Sequence, residues 1–487
     1  MRILGINCLN HDAAVSVIED GEIKFAGHAE RYSRIKNDRF LSDDIMSEAL
    51  SYGEPDAVAY FERPWLKKTR QLYAGQYNEV FQKANTPKEY LKKWIGNKKI
   101  HYVQHHESHA SAGYYTSKFD EACIVVIDAI GEWETVTIWY GNDDKLEKRW
   151  SQKYPKSLGL FYSAMTQRLG LKPQEDEYIL MGMDAWGNRS RKIKNKIYND
   201  LVKSNINLHK GCRWWDLDFY PDDNSEQWKF DIASNTQWVC EDEIMKIMNK
   251  AKEIVPESRN LVFMGGVALN CVANEKIAKE WDDIWIMPNP GDAGSSLGCA
   301  ARVYGRKINW VHPFLGTNIK GSYPVKKASD LLIKGELIGI ANGRAEFGPR
   351  ALGNRSLIAD PRGNDIKDRM NVIKKRQKFR PFAPSVLEEH AHEIFDLPVK
   401  KASYMQFTAK CKFPDLYPAI CHVDGTSRVQ TINREENRGY YDMIKRFYKK
   451  TGCPMVLNTS LNIKGQPIVN TKQDGVDFEK HYGVKVL

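Results

Sequence analysis

The fold is decided by residues 2–31, RILGINCLNHDAAVSVIEDGEIKFAGHAER, in which short apolar runs alternate with polar turns. Runs rich in Val, Ile and Phe predict β-strands. An Asn-His-Asp cluster at 10–12 marks the first turn, and Asp20-Gly21, a dipeptide typical of tight hairpins, marks the second. The stretch therefore predicts strand, turn, strand, turn, strand.

A second copy of this pattern runs through residues 122–150, ACIVVIDAIGEWETVTIWYGNDDKLEKRW. It again gives an apolar strand, an acidic turn with glycine, a second strand, an Asn-Asp turn and a third strand. Two such units predict a duplicated α/β domain of the actin/hexokinase type. In that type of fold the two polar turns face each other across a nucleotide cleft.

Size and composition indicate a folded protein of two or three domains, since 487 residues exceed a single core and 42% of them are hydrophobic. The nine cysteines are scattered and form no CxxC pair, which favours reduced thiols over a disulfide framework. No apolar run approaches the length of a membrane span, and residues 1–21 lack the features of a signal peptide. We therefore expect a cytoplasmic protein without membrane contact.

Two histidines in YVQHHESHASAGYY, His105 and His109, are four residues apart, so on a helix both imidazoles lie on one face. Asp128 ends the strand-like run CIVVID and can supply a third ligand, and Asp292, in the turn PNPGDAG, is a natural fourth. Such a set of ligands suits Fe²⁺, Mn²⁺ or Zn²⁺. The alternatives are a histidine-rich surface helix and, for Asp292, a helix N-cap.

Two glycines, Gly265 and Gly266, follow the apolar run NLVFM and mark a strand-to-helix turn at which backbone amides can approach a ligand closely. Residues from about 187 to 260 are aromatic and charged, which predicts a mainly helical insertion. After about residue 320 the sequence becomes rich in glycine and arginine. We therefore predict a metal-bearing domain over residues 1–320 and a second α/β domain over residues 321–487.

Arginines are dense among the glycines of GRAEFGPRALGNRSLIADPR (343–362), and the basic run KKRQKFR (374–380) follows in the same domain. Guanidinium groups bind phosphate in two-point geometry, so the cluster predicts a pocket for a phosphorylated ligand. The alternative is a structural salt-bridge network. The residues assigned to the pocket are Arg344, Arg350, Arg355, Lys374, Arg376, Arg380, Arg428, Asn458 and Ser460.

With these motifs, the chain resembles the O-carbamoyltransferases of antibiotic and nodulation-factor biosynthesis. The matching blocks follow the family's order over nearly the whole chain and include HHESHASAGYY, SLGLFYSAMTQRLG, FMGGVALN, NPGDAGSSLGCA and NTSLNIKGQPIV. The resemblance implies an actin-like N-terminal domain, similar to the enzyme that transfers threonylcarbamoyl to tRNA, and a C-terminal domain resembling threonylcarbamoyl-adenylate synthases. The chain departs from the family pattern at Ala129, after Asp128, and at Ile179, where the family has a lysine.

Two reaction steps are implied by the resemblance. The C-terminal domain makes carbamoyl-adenylate and pyrophosphate from carbamoyl phosphate and ATP with Mg²⁺, binding both in the arginine-rich pocket. The N-terminal domain transfers the carbamoyl group to an acceptor hydroxyl and releases AMP. Fe²⁺ is the metal we expect, and Mn²⁺ or Zn²⁺ also fit. The roles carried over are metal ligation by His105, His109, Asp128 and Asp292, adenylate binding by Gly265, Gly266 and Asn270, and catalysis by His11 with Asp12.

The acceptor is predicted from charge. The net charge is +10, and Pro64–Lys99 carries nine Lys or Arg against two Glu, interleaved with aromatic residues. This composition favours nucleic acid, with amphipathic surface helices as the alternative. We therefore expect 5-hydroxymethylcytosine, as a nucleotide or as a flipped base in DNA, to be the acceptor. Other candidates are a sugar or antibiotic-like small molecule, tRNA, and a non-catalytic nucleic-acid-binding role; a homodimer remains open.

Overall fold

The structure is a computed structural model, and it describes residues 1–80, 86–216 and 226–487. Residues 81–85 of the predicted basic stretch and residues 217–225 of the predicted insertion lie outside the described residues. The chain forms two compact units. Unit 1 contains Met1–Leu4, Asn10–Asp56 and Asn309–Leu487, and unit 2 contains Gly5–Leu9 and Ala57–Ile308.

The strands of the described residues are numbered along the chain. They are β1 (Arg2–Asn7), β2 (Ala14–Glu19), β3 (Glu22–His28), β4 (Ala57–Tyr60), β5 (Ile100–Tyr102), β6 (Glu121–Gly131), β7 (Glu134–Asn142), β8 (Lys145–Lys153), β9 (Asn260–Met264), β10 (Asp283–Trp285), β11 (Phe314–Ile319), β12 (Ile338–Ala341), β13 (Gly343–Glu346), β14 (Arg355–Ala359), β15 (Ala383–Leu387), β16 (Phe395–Asp396), β17 (Thr408–Cys411), β18 (Thr426–Arg428), β19 (Gln430–Ile432), β20 (Met455–Ser460) and β21 (Lys485–Val486).

Side chains cap several of the α-helices at their N-termini. Ser42, Ser157 and Asn437 each cap a helix by accepting from a backbone amide of the first turn. The helices are α1 (Ala29–Ser33), α2 (Asp43–Leu50), α3 (Pro64–Tyr73), α4 (Tyr77–Val80), α5 (Pro87–Ile95), α6 (His105–Thr116), α7 (Leu158–Arg168), α8 (Glu177–Met183), α9 (Arg191–Ile197), α10 (Gln227–Ile254), α11 (Cys271–Ala278), α12 (Ser295–Tyr304), α13 (Val325–Ile333), α14 (Ile366–Lys374), α15 (Ala391–Ile394), α16 (Arg438–Thr451) and α17 (Lys472–Tyr482).

The hairpin β2–β3 confirms the predicted turn chemistry. The two strands pair antiparallel across Asp20-Gly21. Both turn residues have positive φ, 50° for Asp20 and 84° for Gly21. A two-residue hairpin turn with positive φ at both positions needs residues such as Asp and Gly. The first predicted unit of strand, turn, strand, turn, strand is therefore present as β1, β2 and β3.

The second predicted unit is also present and has the same topology. In unit 2, β6 pairs antiparallel with β7, and β7 pairs antiparallel with β8. On the other side β9 adds parallel to β6, and β10 adds parallel to β9. The resulting order, β8-β7-β6-β9-β10, repeats the order β3-β2-β1-β4-β5 of the first sheet, whose strand β1 begins in unit 1 and ends in unit 2. This repeat confirms the duplicated α/β fold.

The remainder of unit 1 is a mixed α/β structure, as predicted for the C-terminal part. Its largest sheet has the order β19-β15-β20-β14-β12-β21, with antiparallel pairs in the centre and a parallel pair at each end. Helices α13, α16 and α17 contact its strands. Aliphatic and aromatic side chains of the sheet and these helices form one buried core.

The compact units divide the chain differently from the predicted boundary at residue 320, because Asn10–Asp56 clusters with Asn309–Leu487. Strand β11 pairs with β13 and also contacts β3. The Arg34 guanidinium donates to the carbonyl oxygen of Ile468 at 2.7 Å. The predicted insertion contains α9 and α10 with the π-helix Tyr198–Val202 between them. In the part of the chain that the structure describes, no helix is both long and apolar enough to span a bilayer.

Candidate metal centre and anion site

Four side chains of unit 2 converge on one point. His105 begins α6, and His109 lies one turn later on the same buried face. Asp128 lies where the pairing of β6 with β7 is interrupted, and Asp292 lies in the 3₁₀ turn that precedes α12. One donor atom of each residue lies within 4.8 Å of the other three. The side chain of Asp292 faces the two imidazoles, and the N-cap of α12 is Gly294.

The separations of these donor atoms fit a single ion. His105 Nε2 is 3.2 Å from His109 Nε2 and 3.3 Å from both Asp128 Oδ2 and Asp292 Oδ1. His109 Nε2 is 3.3 Å from Asp292 Oδ1 and 3.9 Å from Asp128 Oδ2. Ligands at about 2.0–2.2 Å from a first-row metal lie roughly 3.0–3.5 Å from one another. The four residues predicted as ligands are therefore placed to hold one metal ion.

The electrostatics of the cluster also favour a cation. Burial lowers the pKa of His105, but the Asp292 charge and hydrogen bonds to Asp128 and Asp292 outweigh it, so the pKa is raised well above its ordinary value. Burial and the Asp292 charge act to raise the pKa of Asp128, yet its contacts with the two imidazoles lower it. Two buried carboxylates so close together are stabilised only by positive charge between them.

Neighbouring groups hold each ligand from outside. The backbone amide of Gly266 donates to Asp128 Oδ1 at 3.1 Å. The side-chain amide of Asn7 donates to the carbonyl oxygen of Asp292 at 2.8 Å. Ser295 Oγ lies 3.3 Å from Nδ1 of His109, and a carboxylate, Glu62 Oε2, lies 3.9 Å from Nδ1 of His105. Such outer contacts fix the orientation of metal ligands.

The predicted adenylate residues lie in the turn that follows β9. Gly265 has φ of 90°, and a Cβ at this position would lie 2.2 Å from the carbonyl oxygen of Ile127, so only glycine fits. Asn270 caps α11 by accepting from Ala273 N at 3.1 Å, and it exchanges hydrogen bonds with Gln237. These contacts account for Gly265 and Asn270 through the fold itself, and adenylate binding by them and by Gly266 stays a prediction.

Lys374 is the centre of a second polar cluster, in unit 1. Its buried Nζ donates to the carbonyl oxygens of Ser460 and Asn462, each at 2.6 Å, to Asn462 Oδ1 at 2.6 Å and to Ser460 Oγ at 3.3 Å. All four acceptors are neutral. Burial lowers its pKa well below the ordinary value, and the charges of Arg376 and Arg380 lower it further. Cations gathered around a buried ammonium favour an anionic ligand.

Other residues assigned to the anion pocket are engaged with the protein backbone. Arg355 is fully buried, and its guanidinium donates to the carbonyl oxygens of Thr317, Asn342, Gly343, Asn354 and Asn470. Arg344 donates to the carbonyl oxygens of Lys24, Leu315 and Gly316. Asn458 Nδ2 donates to the carbonyl oxygen of Ala351 at 3.1 Å. These bonds indicate that the three side chains stabilise the fold. Phosphate binding by them stays a prediction.

The remaining predicted residues are partly exposed. Arg376 stacks on the Phe382 ring at 3.8 Å and donates to the carbonyl oxygens of Arg380 and Pro381. Arg350 lies in the loop before β14, and Arg428 ends β18. Nδ1 of His11 is 3.0 Å from Asp12 Oδ2, in the turn between β1 and β2. Their roles in catalysis and substrate binding stay predictions.

The predicted basic and aromatic stretch exposes an aromatic face, formed by Trp65, Tyr73 and Tyr77, and the aliphatic Leu72 is also exposed. These side chains are between 41% and 69% exposed. Within unit 2, Trp65 contacts the Tyr102 ring edge-on at 5.5 Å, and Tyr73 contacts the Trp133 ring at 5.4 Å. Helix α3, which carries Trp65, begins two residues after Glu62. The aromatic face therefore begins three residues after Glu62 in the chain.

Two residues of these clusters, Glu62 and Asn462, were not predicted from the sequence. Glu62 follows the apolar strand β4 at a distance of two residues, and Asp128 shows the same pattern of a carboxylate after an apolar run. That signal was present and predicts an acidic group at the end of β4, as it does at the end of the apolar run of β6 in the other sheet. Asn462 gave no signal, because its contact with Lys374 depends on a turn that brings together residues far apart in the chain.

Comparison with known proteins assigns the chain to a family. A family model described as Carbamoyltransferase N-terminus matches residues 62–301, and one described as Carbamoyltransferase C-terminus matches residues 329–487. The chain belongs to the carbamoyltransferase family. It is therefore an enzyme of the carbamoyltransferase type, and the alternative of a non-catalytic protein is not supported.

Three relatives match the carbamoyltransferase over most of its length. Uncharacterized protein sll1178 of Synechocystis is 32% identical over 97% of this chain and 93% of its own length. Nodulation protein NolNO of Sinorhizobium fredii is 30% identical over 96% of this chain and 77% of its own length. Nodulation protein NolO of Bradyrhizobium diazoefficiens is 33% identical over 77% of this chain and 75% of its own length. These similarities extend the family assignment over most of the chain.

Proposed function

We propose that the protein is an ATP-dependent O-carbamoyltransferase, which forms carbamoyl-AMP and passes its carbamoyl group to an acceptor hydroxyl. The observation that carries the proposal is the convergence of the metal cluster, His105, His109, Asp128 and Asp292, in a chain that matches both carbamoyltransferase family models. The buried amine of Lys374 is a second support, because a bound phosphate would stabilise its protonated form, which burial and the neighbouring arginines disfavour.

In the first step, water takes the phosphoryl group of carbamoyl phosphate, so that inorganic phosphate leaves and carbamate remains. A carbamate oxygen then forms a bond to the α-phosphorus of ATP, the bond to pyrophosphate breaks, and carbamoyl-AMP results. We assign Lys374, with Arg376 and Arg380 beside it, to binding the phosphates. Lys374 donates to four neutral oxygens, so a substrate anion would balance its charge.

In the second step, the acceptor oxygen forms a bond to the carbamoyl carbon, the bond from that carbon to AMP breaks, and the hydroxyl proton passes to a base. We assign His11 as the base. The carboxylate of Asp12, 3.0 Å from its Nδ1, would fix the imidazole tautomer and stabilise the protonated ring. His105, His109, Asp128 and Asp292 would hold a metal ion, which would supply Lewis acidity for the transfer of the activated carbamate.

The acceptor we propose is the hydroxymethyl group of 5-hydroxymethylcytosine, in DNA or as a nucleotide. The support is the aromatic face on and beside α3, where Trp65, Tyr73 and Tyr77 are exposed within a stretch rich in lysine and arginine. Exposed aromatic rings stack on bases, and neighbouring cations bind the backbone phosphates. Arg63, at the N-terminus of α3, is fixed by hydrogen bonds to the buried carboxylate of Glu132.

A small-molecule hydroxyl, such as that of a sugar, is the second candidate. Two of the relatives that match most of the chain are named nodulation proteins, and the chain is 30–33% identical to them. An acceptor other than DNA is the simplest explanation if the aromatic face does not contact the substrate.

The test is an acceptor screen with separate measurement of the two steps. Metal-loaded protein is incubated with carbamoyl phosphate, ATP and Mg²⁺, and with DNA containing 5-hydroxymethylcytosine, the free nucleotide or a panel of sugars. We expect pyrophosphate release that depends on carbamoyl phosphate, and the mass of one carbamoyl group added to the modified base. Turnover of a sugar without any mass gain on the base would overturn the DNA acceptor. Absence of carbamoyl-phosphate-dependent pyrophosphate release would overturn the adenylate route.

A further inference from the structure

Glu62 lies beside the metal cluster without belonging to it. It follows β4 and Phe61 and is only 4% exposed. Its Oε2 is 3.9 Å from Nδ1 of His105, whereas Nε2 of the same ring faces Asp128 and Asp292. The Glu62 carboxylate therefore faces the side of His105 that is turned away from the metal ligands.

The backbone at this position is fixed against helix α6. Ser108 Oγ donates to the carbonyl oxygen of Phe61 at 2.9 Å, and Phe61 N donates to the carbonyl oxygen of Ile6 at 3.2 Å. The Phe61 ring lies 5.2 Å from the His105 ring. Because these contacts join the end of β4 to α6, the Glu62 carboxylate and the His105 imidazole have little freedom to move apart.

The carboxylate of Glu62 is also held by Lys67, in the first turn of α3. Lys67 Nζ donates to Glu62 Oε1 at 2.8 Å, and both side chains are largely buried. A hydrogen bond on Oε1 directs the other oxygen, Oε2, towards His105. The ion pair also balances the charge of a carboxylate that would otherwise be buried alone.

The two imidazoles of the cluster have different outer partners. Nδ1 of His109 faces the hydroxyl of Ser295 at 3.3 Å, whereas Nδ1 of His105 faces a carboxylate. Among the described residues, the buried Nδ1 of His105 has no hydrogen bond, and a movement of about 1 Å brings it within hydrogen-bond reach of Glu62. A metal-bound imidazole commonly donates its second N–H to a carboxylate, which orients the ring and makes it a stronger ligand.

We propose that Glu62 is a positioning residue, which accepts the Nδ1 proton of His105 in a hydrogen bond and strengthens the binding of the metal, with Lys67 fixing the carboxylate. The inference rests on the proposed metal site. It adds a residue that contacts neither metal nor substrate, and it distinguishes His105 from His109. Replacing the carboxylate should therefore weaken metal binding without removing a ligand.

Glu62→Gln tests the inference, because it removes the charge and keeps the size of the side chain. Wild-type and variant proteins are stripped of metal and titrated with Co²⁺ in competition with a chelator, and the visible spectrum of bound Co²⁺ is recorded. We expect one Co²⁺ per wild-type chain, an affinity about 10–100-fold lower in the variant, and a shifted spectrum. A variant that binds Co²⁺ within about twofold of wild-type affinity, with an unchanged spectrum, would overturn the role of Glu62.

Two further variants keep the test decisive. Glu62→Asp keeps the charge and should bind Co²⁺ with an affinity between those of the wild type and Glu62→Gln. If Glu62→Gln fails to fold, the aspartate variant carries the test, and wild-type affinity in it overturns the inference. Glu241→Gln is the matched control, since Glu241 is buried and ion-paired with Arg189 and Lys276. Its Co²⁺ affinity should be unchanged. A wild-type chain that binds no Co²⁺ would instead overturn the metal site itself.

Discussion

The metal cluster of unit 2 and the Lys374 cluster of unit 1 are both buried, yet their electrostatics are opposite. In the metal cluster, two carboxylates face two imidazoles, and the pKa of His105 is raised. In the Lys374 cluster, an ammonium beside two guanidinium groups donates to neutral oxygens, and the pKa of Lys374 is lowered. The charges of the first region favour an added cation, and those of the second favour an added anion.

This contrast indicates that, in the proposed reaction, the first region binds a metal ion and the second binds phosphate. A carbamoyl transfer that uses a phosphorylated donor needs both kinds of site, because phosphate charge must be balanced and a carbamoyl oxygen polarised. Each cluster is assembled from residues of a single unit. Variants in the two clusters should therefore have separable effects on the two steps of the reaction.

The largest effect is expected from His105→Ala. Loss of this ligand opens the metal cluster, so the rate of carbamoyl transfer should fall by about a thousandfold, whereas carbamoyl-phosphate-dependent pyrophosphate release should persist. Pyrophosphate and carbamoylated product are measured in the same reaction. His101→Ala, a change at an exposed histidine on β5, is the control. An equal fall in pyrophosphate release and in carbamoylated product would contradict the assignment of the two clusters to separate steps.

Lys374→Met is the reciprocal change. It keeps the aliphatic part of the side chain and removes the buried ammonium, so pyrophosphate release should fall by about a hundredfold while the metal content stays at the wild-type level. Pyrophosphate assays and elemental analysis of one preparation measure both quantities. Lys334→Met, at an exposed site of unit 1, should change neither. Retention of full pyrophosphate release would contradict the assignment of the Lys374 cluster.

The pH dependence of stability gives a third test. Burial and the neighbouring Arg charges lower the pKa of Lys374 well below the ordinary lysine value of 10.5. Between the lowered pKa and 10.5, the unfolded chain binds a proton that the folded chain lacks. The free energy of unfolding should therefore rise with pH in this window, by at most about 1.4 kcal/mol per pH unit. Urea unfolding across the window should show this rise in the wild type and a flatter profile in Lys374→Met; parallel profiles would contradict it.

The smallest effect is expected at the aromatic face. Trp65→Ala removes an exposed ring and leaves the residues assigned to metal and phosphate binding intact. Loss of base stacking should therefore raise the KM for modified DNA by about five- to tenfold, with little change in kcat. Steady-state kinetics with DNA and with the free nucleotide measure the effect, and the DNA reaction should be the more affected. Trp214→Ala, an equally exposed tryptophan, is the control. Identical KM values for Trp65→Ala and the wild type would leave the aromatic face outside the acceptor site.

Local patterns in the sequence were sufficient for the duplicated fold and for the metal cluster. Asp20-Gly21 has the positive φ values that its turn requires, and the i, i+4 spacing of His105 and His109 places both rings on one face of α6. Asp128 was predicted because it ends an apolar strand, and Asp292 because it lies in the turn that follows one. Each of these features depends on residues close in sequence or on a simple topological rule.

The arginine-rich region was harder to interpret, because composition does not tell what a guanidinium contacts. Arg355 was predicted as a phosphate ligand, yet its donors are used by five backbone carbonyl oxygens. Lys374 lies in the basic run that follows, and its Nζ contacts Ser460 and Asn462 from a distant turn. The clustering of Asn10–Asp56 with Asn309–Leu487 likewise depends on contacts between residues hundreds of positions apart.

The central claim is that His105, His109, Asp128 and Asp292 bind one metal ion. X-ray absorption spectroscopy of anaerobically purified protein, combined with elemental analysis, tests it most directly. We predict one first-row metal per chain, with a first shell of nitrogen and oxygen at about 2.0–2.2 Å that includes two imidazoles. We also predict loss of that ion in the double variant His105→Ala with Asp292→Ala. An ion that the double variant retains with an unchanged first shell would contradict the account.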